Sequence, residues 1–213
     1  MNTSGDGIRV VHPLFQVEGG GSIPTSPLQL EISKMPLDVA VTLNFEWHSR
    51  LPIISNPQAC TAFGAMHSNR YYAIALWGPP VAREFNGRGI YELRRMAIAP
   101  DAPKNTGSRM LRIMRLLIER ERTDIRRLIS YQDTEVHSGT IYKAAGWTIG
   151  RFKPISSGDK GWNSRDRNVM QSRANKIRWD FQIRPEPESL EKAAPAHVPT
   201  TTDIFLAERN RKP

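Results

Sequence analysis

The stretch from Glu92 to Trp147 restricts the fold more than any other part of this chain. Glu92-Leu-Arg-Arg-Met-Ala-Ile-Ala99 is half apolar and stops against Pro100 and Pro103, so it reads as a strand ended by residues that cannot extend a ladder. Lys104-Asn-Thr-Gly-Ser-Arg109 follows as a tight polar loop. Beyond it, Met110, Ile113, Met114 and Leu117 fall at i, i+3, i+4 and i+7, which gives the segment through Glu121 one apolar helical face to bury. Arg127-Leu-Ile-Ser-Tyr-Gln-Asp133 is the next strand, and Thr140-Ile-Tyr-Lys-Ala-Ala-Gly-Trp147 is a short helix with Gly146 at its C-cap. That order of elements belongs to a mixed α/β domain.

The loop before the long helix carries the first chemistry. Asn105 or Thr106 can cap the helix, and Gly107 lets the backbone approach a ligand closely. The first-turn N–H groups then face outward with the positive end of the helix dipole behind them, which suits a pyrophosphate. Ser108 and Arg109 are the side chains best placed to touch it, although an ordinary capped helix with a polar start uses the same residues. Arg94 and Arg95 sit on the preceding strand, one on each face. Asp133 ends its own strand. A carboxylate there can accept a proton from an amine, hold a metal, orient the exocyclic amino group of a base, or simply cap the segment after it.

The flanking sequence fills out one domain of about residues 35–184, with an N-terminal extension at 1–34 and a tail at 185–213. The extension is rich in Gly, Ser, Thr and Pro, and Val10-Val11 and Leu28–Ile32 can each add an edge strand. Pro36 and Leu37-Asp38 open a helix that carries Val39, Val41, Leu43 and Phe45 into Trp47-His48 and breaks at Leu51-Pro52. His48 can serve as a base, a metal ligand or a structural helix-end residue. Arg50 suits a phosphate or carboxylate clamp, or a solvated helix end. Ala59–His67 and Tyr71–Trp77 read as two strands joined at Ser68-Asn69-Arg70, the second apolar enough to be central. Trp147, Ile149 and Phe152 suggest another strand, and Ile177, Trp179, Phe181 and Ile183 alternate with polar residues as a half-buried one. Between them, the loop 154–176 sets Lys160, Arg165 and Arg167 around Trp162. That pattern suits a nucleic-acid backbone with one stacked base, and equally a solvated basic loop.

Composition narrows the partner. Thirty Lys+Arg against 21 Asp+Glu give a formal charge of +9, which favours a polyanion, with nucleic acid first and plain solubility as the alternative. The single Cys60 excludes an internal disulfide and a multi-Cys metal site. No apolar run is long enough to span a bilayer and the start lacks a signal pattern, so no membrane partner and a cytoplasmic location are expected.

The central blocks, in this order, resemble the acyl-CoA-binding half of the GNAT N-acetyltransferase superfamily. There a Tyr four residues before a Gly-aromatic pair often protonates the leaving thiolate of CoA, and Tyr142 stands so before Gly146-Trp147. The closer resemblance is to the Mom family of phage DNA-modification proteins, which are GNAT relatives. Ala102-Pro-Lys-Asn-Thr-Gly-Ser-Arg109, Ser130-Tyr-Gln-Asp133, Gly139-Thr-Ile-Tyr142, Ala145-Gly-Trp147, Trp47-His-Ser-Arg-Leu-Pro52 and Trp77-Gly-Pro79 carry it. Val136-His137-Ser138 departs from the pattern, since a small Gly is expected near His137.

The resemblance implies an α+β GNAT fold, with a central, mixed and mostly antiparallel, splayed sheet flanked by helices. It implies acetyl-CoA against Asn105, Gly107, Ser108, Arg109, Met96 and Ile98, and Tyr142, Asp133 and His48 as catalytic residues. DNA contacts would come from Trp47, Arg50, Lys160, Trp162, Arg165 and Arg167. The implied reaction converts adenine of double-stranded DNA, with the base extruded, to its N6-carbamoylmethyl form and shields the DNA from restriction. The family is also linked to iron, for which His48 and Asp133 are the implied ligands here, and a homodimer is compatible with it. Two other functions fit parts of the sequence. An ordinary GNAT acetyltransferase acting on a small-molecule or protein amine needs only the cofactor half, and a silent DNA-binding protein on this scaffold would bind DNA without CoA.

Overall fold

The computed structural model describes residues 23–48, 51, 53–153 and 175–185. Seven strands form one sheet: β1 (Glu31–Lys34), β2 (Thr61–His67), β3 (Arg70–Gly78), β4 (Ile90–Ile98), β5 (Arg127–Asp133), β6 (Thr148–Lys153) and β7 (Lys176–Gln182). Three helices join them: α1 (Leu37–Trp47), α2 (Thr106–Glu121) and α3 (Thr140–Ala144). The spatial order is β1-β2-β3-β4-β5-β7-β6, and every pairing is antiparallel except β4 with β5. Ser68 and Asn69, with φ of 46° and 61°, make the two-residue turn between β2 and β3. Two positive φ values match the twist that antiparallel strands need. The parallel pair instead needs a crossover, which α2 supplies.

Each face of the sheet has its own core. On one side Phe63, Ala65, Ala75, Trp77 and Leu93 meet Met110, Leu111, Met114 and Ile118 of α2, together with Tyr142, Trp147 and Trp179. On the other side Val39, Ala40 and Leu43 of α1 pack on Ala62, Ile74, Leu76 and Ala97. The buried stripe of α2 is turned one position from the expected one, because Leu111 and Ile118 are buried while Ile113 and Leu117 are half-buried. Helix α1 ends at Trp47 instead of running to Leu51, and Phe45 is 63% exposed, as it lies off the buried side set by Val39 and Leu43. The expected edge strand at Leu28–Ile32 is instead a 3-10 turn, Pro27–Gln29, followed by β1. Ser26 and Gln29 close a reciprocal capping box on that turn, which fixes residues 26–29 before the strand can start.

Candidate active site

The cleft is set by where two strands part. β4 and β5 are paired from Ile90↔Arg127 to Leu93↔Ser130 and no further, so beyond that point the sheet opens into a wedge. The register of β4 against β3 jumps from Trp77↔Leu93 to Leu76↔Arg95, leaving Arg94 as a bulge at the start of the wedge. A bulge bends its strand and increases the local twist, which steers β4 away from β5.

The bulge also breaks the alternation expected of Arg94 and Arg95. Both guanidinium groups act electrostatically on buried Glu92, so they do not divide between the two faces. Arg95 donates to the carbonyls of Leu51 at 3.1 Å and Ile53 at 3.0 Å, tying β4 to the segment after α1. Arg94 donates to Pro79 O at 3.3 Å.

Helix α2 begins beside the wedge. Asn105 takes the N-cap position with φ 68° and no side-chain cap; its carbonyl accepts from the Arg109 N–H and the Ser108 hydroxyl, each at 3.0 Å. Thr106 spends both its N–H and its hydroxyl on Pro103 O. The Gly107 and Ser108 N–H groups therefore start the helix without an intrahelical acceptor. Gly107 is also required by the packing. A Cβ there would lie 3.1 Å from Ile98 Cδ1, 3.3 Å from Ile141 and 3.6 Å from Met96. The Nε of Arg109 is buried with no hydrogen-bond partner among the described residues, so this helix start retains an unanswered cationic donor. The residues expected to hold acetyl-CoA, from Met96 and Ile98 to Arg109, thus gather at one helix start, and they fit an anionic cofactor.

At the apex of the wedge stands Tyr142. Its ring stacks on Trp179 at 5.3 Å and meets Trp147 edge-on at 5.8 Å, and its hydroxyl lies 2.9 Å from Ser130 Oγ. Ser130 is the last residue of β5 paired with β4, so the phenol reaches the point where the strands separate. Burial pushes its pKa above the usual phenol value, with the Ser130 bond opposing in part, so it keeps its proton. Gln132 supports this arrangement: it accepts from Trp179 Nε1 at 2.7 Å and donates to His137 O. Ser130 and Gln132 entered the sequence reading only within the block Ser130-Tyr-Gln-Asp133 and Trp179 only as a strand residue, because the contacts that join them to Tyr142 are distant along the chain.

His48 caps α1, and Leu51 N–H donates to its Nδ1 at 3.2 Å, which puts the ring proton on Nε2. Burial, then Arg95 and His137, lower its pKa from 6.5 to about 4, so the ring is neutral at pH 7. In this tautomer His48 offers a donor; service as a base or a metal ligand through Nε2 requires giving up the Leu51 bond. His137, where the sequence departs from the family pattern, acts electrostatically on His48.

Asp133 accepts the Glu135 N–H at 3.0 Å, a turn-capping contact. Trp47 packs against the α1-side core. Arg50, Lys160, Trp162, Arg165 and Arg167 lie outside the described residues. A depression of about 360 Å³, lined in part by Cys60, Thr61, Tyr91 and Arg122, sits by the start of β4 and not at the wedge.

Among the described residues no three His, Cys, Asp or Glu side chains gather to hold a metal. No described residue joins the expected His48–Asp133 pair as a third ligand, and two ligands alone do not define an iron site. No described helix is long and apolar enough to cross a membrane.

A mostly antiparallel sheet split between β4 and β5, with a helix start beside the split, is the GNAT acyltransferase fold. It is shared by the ribosomal-protein-S18-alanine N-acetyltransferase from Escherichia coli, at 14% identity over 76% of this chain and 98% of that one, TM-score 0.51. An IAA acetyltransferase from Bacillus cereus matches at 13% identity over 72% and 99%, TM-score 0.50. A Bacillus subtilis acetyltransferase solved in complex with CoA matches at 13% over 72% and 98%, TM-score 0.50. Within that class, the model of the Mom protein family matches residues 29–194, and the chain belongs to that family. A search of curated proteins finds no significant match.

Proposed function

We propose that this protein is an acyl-CoA-dependent enzyme that modifies adenine in double-stranded DNA, giving the N6-carbamoylmethyl base that protects DNA from restriction. The observation that carries the reading is the wedge between β4 and β5, with the Tyr142 hydroxyl at its apex, in a chain of the Mom family. The charge of +9 supports a polyanionic substrate.

Acetyl-CoA would supply an activated two-carbon group. The α2 start, with the Gly107 and Ser108 N–H groups and Arg109, would hold its phosphates. Tyr142 holds a proton on its hydroxyl beside Ser130, where a departing thiolate can take it. The target base must leave the stack to reach the wedge, at a cost of roughly a few kcal/mol. Neutral His48 presents a ring N–H, and Asp133 is carried by the same strand as Ser130. Acetyl transfer alone does not account for the carbamoylmethyl group, which carries one NH more than acetyl and is bonded through what would be the methyl carbon, so a nitrogen donor such as ammonia and a two-electron oxidant would have to act beside acetyl-CoA. The mass of the product therefore decides which group is added.

The test is mass spectrometry of nucleosides from the DNA of cells expressing the protein, with Tyr142→Phe as control. An adenosine adduct of carbamoylmethyl mass, reduced on the order of a hundredfold or more in the variant, is the expected result. Unmodified nucleosides alongside acetyl-CoA binding by the purified protein would replace the DNA reading with an ordinary N-acetyltransferase.

A further inference from the structure

The sheet is unevenly covered. Helix α1 packs on β2, β3 and β4, while α2 and α3 occupy the opposite side. On the α1 side, Phe85 seats on Ile129, and beyond it no described helix covers the wing formed by β5, β7 and β6. Tyr131, Arg178 and Arg151 face one another across the three strands, and Lys176 stands opposite Asp133 one row along. Side chains opposite one another in a sheet share a face. Tyr131 is 37% exposed and Arg151 is exposed.

The charge on this face is positive and partly uncommitted. Arg178 binds both oxygens of Asp180, at 2.7 and 2.9 Å, and Arg127 lies 3.8 Å from the same carboxylate. Asp180 is thus answered twice. Arg151 and Lys176 have no ion pair among the described residues, and Glu84 is the acid on the rim of their hollow. That hollow, about 50 Å³, is too small for a nucleobase and suits a surface contact. Tyr131 and Asp133 lie two residues apart on β5, so the face leads directly to the mouth of the wedge.

We propose that this open face of β5, β7 and β6 is where duplex DNA docks, with Arg151, Lys176 and Arg178 against its phosphates and the target base passed to the wedge beside Tyr131 and Asp133. The proposal rests on the DNA-modifying reading above. Arg151 and Lys176, without an ion pair among the described residues and on the face that borders the cleft, are the contacts a polyanion with a reacting base requires, and Arg178, held by Asp180, adds charge beside them.

The experiment is titration of a labelled DNA duplex into the full-length protein across a salt series, for the parent, the double variant Arg151→Gln/Lys176→Gln, and Arg120→Gln in the last turn of α2. Acetyl-CoA binding is measured on the same samples. The double variant should bind DNA about tenfold more weakly at low salt, with a salt slope shallower by about 0.9 for each lost phosphate contact. Its acetyl-CoA affinity, and DNA binding by Arg120→Gln, should stay at the parent level. A parent that binds duplex while the double variant binds it equally overturns this surface and leaves the DNA reading standing. Weakening by Arg120→Gln to the same extent as by the double variant overturns the surface too. A parent that binds acetyl-CoA but no duplex at any salt overturns both.

Discussion

Strands β3 and β7 are both rich in apolar residues, yet they meet different surroundings. β3 is buried from Tyr71 to Gly78, because α1 covers Ile74 and Leu76 while α2 covers Ala73, Ala75 and Trp77. β7 is fully buried only at Trp179, and its other face carries Arg178 and Asp180. The first wing is made to be stable and the second to be accessible. Trp77, 6.2 Å from Trp147, is the aromatic link that lets the second wing share the core of the first.

Four substitutions or conditions test that contrast. Trp77→Ala should have the largest effect, about 3–5 kcal/mol of stability lost, since it empties a fully buried site and removes the bond to Met114 Sδ. A urea titration that shows less than about 1 kcal/mol would mean that the wings are not joined there. In the second wing, Gly139→Ala should cost about 1–3 kcal/mol from its φ of 73° alone. The new Cβ would also lie 2.5 Å from Gln132 Oε1, an atom already held by Trp179. Adduct formation should then fall by more than the melting temperature explains, because the Trp179–Tyr142 stack is disturbed as well.

Acid should act at the α1 end of the first wing. The folded pKa of His48 is depressed below its unfolded value, so its contribution is complete above about 6.5 and is lost as pH falls toward 4. Because His48 is partly exposed, the loss is on the order of 1 kcal/mol after allowance for solvent screening. His48→Gln should flatten that part of the stability–pH curve, and an unchanged slope would show that the ring is not held neutral. The smallest effect is expected from Arg151→Gln, within about 0.5 kcal/mol of the parent in thermal unfolding.

How far the sequence could be read follows the same division. The order β4, α2, β5, α3 was legible because apolar spacing and the prolines at 100 and 103 are local signals, while the GNAT sheet was implied by the family resemblance of those blocks. The bulge at Arg94 was not legible, because it exists only in register with β3. The second role of Gly107 was not legible either, since its missing side chain accommodates Ile98 and Ile141 from two other elements. The neighbourhood of His48 and His137 joins the end of α1 to the turn after β5, a separation no periodicity crosses.

The strand order also fixes a sequence of assembly. Among the described strands β6 pairs with β7 alone, so the earlier of these strands has no place in the sheet until the later one reaches β5. A chain emerging from the ribosome can close β1 to β4 through near neighbours, and then must wait for residues 176–182 before Arg127–Asp133 loses its open edge. During that wait the apolar side of β5, around Leu128, is exposed next to an unpaired backbone, which makes this interval the one in which the nascent protein is most prone to stick to its own copies.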